Sequence, residues 1–141
     1  MEQKPFTVPL QELQFLRTQY PRAEFKNNSE VGKLAVEVVK LYFRSLDPHA
    51  SFDKIGKGSA LKIEYAGNFE IFEIKGTTSK DFAEGQLKIS SIKSYDGLVA
   101  GRRIIRVTNV WQQNVTLFFM KITEDFTLLQ EPRWSIQIKP C

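Results

Sequence analysis

The stretch from Phe69 to Thr77 constrains this chain more than any other. Read as a β-strand, it puts Phe69, Ile71, Glu73 and Lys75 on one face and Phe72 and Ile74 on the other. Apolar residues therefore fall on both faces. A strand of that kind belongs in the middle of a sheet covered above and below, not at a half-wet edge. The expected architecture is an α/β or α+β domain built on one central sheet.

The segments around it supply the covering layers. Asn27-Asn28-Ser29 offers a helix cap, and Val31, Leu34, Ala35, Val38, Val39, Tyr42 and Phe43 then follow helical spacing from Glu30 to about Leu46. Asp47-Pro48 stops this helix. An earlier helix is predicted over 7–20, capped by Thr7, with Pro9 in its first turn and Pro21 ending it. Leu61, Ile63 and Tyr65 alternate with Lys62 and Glu64, and Ala66-Gly67-Asn68 turns the chain into the central strand. Downstream, Leu87 and Ile89 suit the end of a short strand. Ser90 or Ser91 suits the cap of a short helix that runs through Tyr95 and closes near Gly97. Strands are predicted over Arg103–Val110 and Val115–Ile122, joined at Gln112-Gln113-Asn114, with edge pieces at Phe126–Leu129 and Trp134–Ile138. No repeat or linker interrupts the 141 residues, so one domain is expected.

Glu73 and Lys75 are the first chemistry on this frame. They share a strand face about 7 Å apart at a rise of roughly 3.3 Å per residue. Charges on a covered face need a partner or a bound group. The plainer alternative is that the strand emerges into solvent at Glu73, with Gly76 marking its end.

Other chemistries are narrowed by elimination. Cys141 is the sole cysteine and His49 the sole histidine. A disulfide framework and a cysteine-based zinc site are excluded, as is a zinc site needing two imidazoles. A Ser-His-Asp arrangement would rest on His49, which sits in Asp47-Pro48-His49-Ala50 with no nucleophile elbow nearby. A metal here would be a hard cation held by carboxylates, such as Mg²⁺ or Mn²⁺. Twenty Lys and Arg against sixteen Asp and Glu give a net charge of +4, which permits a polyanionic partner without demanding one. No apolar run approaches the roughly 20 residues of a membrane span, and Met1-Glu2-Gln3-Lys4-Pro5 lacks a signal-peptide core. A cytoplasmic protein with no membrane partner is expected.

The order of segments resembles the PD-(D/E)xK nuclease superfamily, most closely its small Mrr-like and NO VEIN C-terminal-like domains. The matching segments are Ser29-Glu30-Val31-Gly32-Lys33-Leu34-Ala35-Val36-Glu37, Gly58-Ser59-Ala60-Leu61-Lys62-Ile63 and Phe72-Glu73-Ile74-Lys75-Gly76-Thr77-Thr78, with Ile105–Val110 similar to a later strand. The resemblance covers roughly 29–127, leaving 1–28 as an N-terminal helical extension. It implies a restriction-endonuclease-like fold, a central mixed sheet flanked by helices, and Mg²⁺-dependent hydrolysis of phosphodiester bonds in DNA. By position, Glu73 is the implied metal ligand, the Ile74 carbonyl a further one, Lys75 the water-positioning residue and Glu37 the helix glutamate. Such small domains also imply a second copy or a partner subunit where both strands are cut.

One position departs from the pattern. The family places an aspartate where this chain has Ala60, and an alanine holds no metal. Three readings stay open: an aspartate replaced in this chain, a naturally inactive relative that binds nucleic acid or protein, or another acid such as Asp53 or Glu64 entering the site. Basic residues are scattered around the expected cleft. Lys93, Arg102, Arg103 and Lys62 are the candidate DNA contacts, with Lys54, Lys57 and Lys88 nearby. Trp111 and Trp134 are candidates for base stacking, or for packing.

Overall fold

A computed structural model describes residues 1–56, 60–89, 91–130 and 138–139. Its elements are β1 (Glu2–Thr7), α1 (Leu10–Gln19), α2 (Asn28–Leu46), β2 (Ser51–Ile55), β3 (Ala60–Tyr65), β4 (Asn68–Gly76), α3 (Ile92–Val99), β5 (Arg103–Thr108) and β6 (Asn114–Met120). The six strands form one mixed sheet in the order β1-β6-β5-β4-β3-β2. Only β4 and β5 run parallel, joined through α3; every other neighbour pair is antiparallel. The chain is an α/β fold with helices on the sheet, and β4 is interior as its two apolar faces require.

Helix α2 covers one face. Asn27 caps it, its side-chain oxygen accepting from the Glu30 N–H at 3.0 Å. Its seven predicted apolar residues are all buried. They meet Leu61 and Ile63 of β3, Phe72 and Ile74 of β4, Ile105 and Val107 of β5, and Leu117 and Phe119 of β6. Phe43 centres an aromatic cluster with Tyr42, Tyr65, Phe72 and Phe119 at 4.8–6.3 Å between centroids. Each such ring contributes about 1.5–3 kcal/mol on burial. Packing, more than propensity, holds a helix this rich in valine.

The other face is covered beyond β4. Leu98 of α3 packs with Ile104 and Met120, and Phe82, Leu87, Ile89, Phe126 and Leu128 close over them. Leu87 and Ile89 thus serve as a loop cover and not as the end of a strand. Ser91 caps α3, accepting from the Ser94 N–H at 3.1 Å, and Gly97 lies inside the helix and not at its close.

The chain departs from expectation mainly at its edges. Thr7 belongs to β1 and bonds Asn114, so it does not cap α1; Pro9 holds the cap position without a side-chain bond. Residues 2–7 form an edge strand against β6, so 1–28 is part of the sheet and not only a helical extension. Residues 51–55 form the opposite edge, where no strand was expected. Strands β5 and β6 end two residues early, at Thr108 and Met120. Ile122 and Phe126 make only an isolated bridge. The predicted strand at Trp134 lies outside the described residues, as do Lys57, Ser59 and Ser90. No helix among the described residues is long and apolar enough to cross a membrane.

Candidate functional site

Glu73 is 2% exposed, so the strand does not emerge into water there. Register places it in one row across five strands: Ile55, Ala60, Glu73, Ile104 and Met120. It is the sole polar member of that row. A carboxylate so placed needs a counter-charge or hydrogen bonds, and Arg102 supplies charge, its Nη1 standing 3.8 Å from Glu73 Oε1. The path of Arg102 explains the glycine in α3. A Cβ on Gly97 would stand 2.7 Å from Arg102 Cδ and 2.8 Å from Nη1. The arginine crosses the helix where no side chain blocks it.

Ala60 is directly opposite Glu73. Antiparallel partners carry their Cβ atoms about 4.5–5.5 Å apart on one face. An aspartate at 60 would therefore bring a second carboxylate beside Glu73, as the resemblance implies, and a methyl stands there instead. No other acid among the described residues replaces it. Asp53 pairs with Lys62 on the same face, two strands and two residues from Glu73, or about 12 Å by strand spacing and rise. Glu64 is four residues along β3, exposed, 3.4 Å from Lys62 Nζ. Among the described residues no group of three carboxylate, imidazole or thiol side chains is placed to hold a metal. The described side chains do not fit the Mg²⁺ or Mn²⁺ site that the resemblance implies.

The remaining predicted residues divide between the two faces. Lys75 shares the Glu73 face, half-buried, beside Arg106 of β5. Ile74 packs under α2, and the position opposite it on the β3 side falls outside the described residues. Glu37 lines a cleft that also reaches Ala60, the partner of Glu73. It belongs to α2, on the other side of the sheet, where Lys40 Nζ stands 3.4 Å away. Arg103 also faces α2, gripping Glu70 with two hydrogen bonds of 2.7 and 2.8 Å and stacking on Phe72 and Phe119. The hydrogen-bonded Glu70 carboxylate raises its pKa. Lys62 remains on the Glu73 face, over the Phe69 ring at 4.8 Å, and Lys93 is exposed on the first turn of α3. Trp111 carries the Arg17 guanidinium at 5.1 Å, and its carbonyl accepts from the same group, so it packs and is not a free stacking platform. Trp134 lies outside the described residues.

The residue that sequence reading missed is Arg106. It is 1% exposed and donates to the carbonyls of Phe82, Gly76 and Ala83 at 3.0–3.1 Å. Burial pulls its pKa down. The one signal was position: in Ile104-Ile105-Arg106-Val107, a charge interrupts an apolar run. Comparison with family models, curated proteins and solved structures finds no match for this chain.

Proposed function

We propose that this chain is a nucleic-acid-binding module, with DNA its first candidate ligand, on a restriction-endonuclease-like sheet that lacks the metal centre of a nuclease. The observation that carries this reading is the row through Glu73. Its neighbour at 60 is a methyl, and an arginine answers the carboxylate where catalysis would need a second acid. The mixed sheet, the α2 cover, the β2–β3–β4 meander and the parallel step to β5 support the PD-(D/E)xK-like descent. The net charge of +4, and Lys62, Lys93 and Arg102 on or around the Glu73 face, support a polyanionic partner.

The test pairs the chain with its Ala60→Asp variant. The unaltered chain is expected to shift duplex DNA in a salt-dependent manner and to leave it uncut with Mg²⁺ or Mn²⁺. Ala60→Asp is expected to cost about 1–3 kcal/mol without metal, because it sets two carboxylates side by side in a buried row. Mn²⁺ should restore that loss in thermal melts and leave the unaltered chain unmoved. Metal-dependent cleavage by the unaltered chain, abolished by Glu73→Gln, would overturn the non-catalytic reading. A melt of Ala60→Asp indifferent to Mn²⁺ would overturn the nuclease descent.

A further inference from the structure

Gly32 sits in the second turn of α2, where glycine costs a helix about 0.5–1 kcal/mol relative to alanine. Neither backbone nor packing calls for it. Its φ is not in the left-handed region, and an added Cβ would meet nothing within 4 Å. Gly76 is the contrast: there a Cβ would collide with α2 at 2.5 Å. What Gly32 provides is open space, and that space is part of a cleft of about 420 Å³ between α2 and the β2–β3 edge. Its size falls in the range of roughly 300–1,000 Å³ typical of small-ligand sites.

The cleft walls have a definite chemistry. Tyr20 and Phe52 bring two aromatic rings, with the Arg44 guanidinium over the Phe52 ring at 5.0 Å. Lys33, Lys40 and Lys54 bring three cations against one carboxylate, Glu37, which Lys40 already meets at 3.4 Å. Lys33 and Lys54 have no ion pair among the described residues. Burial, with Glu37 adding to it, raises the Tyr20 pKa, so its hydroxyl stays a hydrogen-bond donor. Two uncompensated ammonium groups match a phosphate monoester, which carries about −1.5 to −2 at neutral pH. The rings match a flat base.

We propose that this cleft binds a nucleoside monophosphate, either free or as the phosphorylated end of a strand. The cleft opens on the α2 side of the sheet and reaches Ala60, the register partner of Glu73.

The test titrates the full chain with AMP, UMP, adenosine, inorganic phosphate and a 5′-phosphorylated trinucleotide, following backbone amide shifts. Saturable shifts at Gly32, Lys33, Ala60 and Leu61 are expected with a nucleotide, with adenosine and phosphate each at least about tenfold weaker. Gly32→Leu fills the cleft with a good helix former, so its melting temperature should hold or rise while nucleotide affinity falls at least about tenfold. Lys33→Gln and Lys54→Gln should each weaken binding and flatten its salt dependence. A trinucleotide that binds tighter than AMP, and is lost with Gly32→Leu, assigns the ligand to a strand end; equal affinities assign it to a free nucleotide. Absence of saturable shifts at millimolar nucleotide, binding indifferent to Gly32→Leu, or inorganic phosphate binding as tightly as AMP would each overturn the proposal. Loss of duplex binding with nucleotide binding intact would strike only the DNA reading.

Discussion

Arg106→Met is expected to lower stability by about 3 kcal/mol, the net of several buried hydrogen bonds to a charged donor left unmade. Methionine approximates the stem of the arginine, so packing against the sheet is largely kept. What is lost is the fork that serves the Gly76, Phe82 and Ala83 carbonyls together. No carboxylate among the described residues is stranded by the change, which keeps the cost below that of a broken buried ion pair. Arg106→Lys should recover only part of it, because one ammonium lacks the fixed fork geometry. Denaturant titration should show a reduced midpoint, with a melting temperature lower by about 10 °C. Amide exchange should rise first between β4 and α3. A loss under 1 kcal/mol for the methionine variant would show that water replaces the guanidinium at little cost.

Gly76→Ala is the second large effect, expected at about 2–3 kcal/mol from overpacking. The added Cβ would stand 2.5 Å from Ala35 Cβ and 3.2 Å from the Val31 carbonyl. The obstacle is α2 itself, its backbone included, so no rotamer change relieves it. Either the helix lifts off β4 or the strand end bends away. Ala35→Gly removes one of the two colliding methyl groups, although it costs the helix about 1 kcal/mol by itself. The double variant should therefore be more stable than the sum of the single losses predicts, with a coupling of at least about 1 kcal/mol in denaturant midpoints. Simple additivity would show that the clash at Ala35 does not set the cost.

The same contact shows what was legible in the sequence. Helix α2, the β3–β4 hairpin and the interior place of β4 were readable, because in each a buried stripe repeats at a fixed period. Glu73 and Lys75 were rightly put on one face. The faces of separate elements were not readable. Glu37 and Arg103 each lie on the side of the sheet away from Glu73, since local periodicity says which residues of one element share a side, not which sides of two elements meet. The burial of Glu73 was undetermined for a related reason. It depends on the α3 crossover and on Arg102, whose route over Gly97 no spacing rule encodes. Arg106 was passed over because an arginine in an apolar run reads as surface until its carbonyl partners, 23–30 residues away, are folded onto it.

Strands β1 and β2 escaped notice because they are polar and mostly exposed, with Pro5 in one and Asp53 and Lys54 in the other. Those traits have a consequence of their own. Among the described residues the six-stranded sheet ends at β1 and β2, and a sheet edge is a template on which a strand from another molecule can pair. A proline has no N–H to offer such a visitor, and charged side chains tax a close approach. The residues that hide the edges from a periodicity search are therefore the ones that discourage these sheets from growing into one another at high concentration.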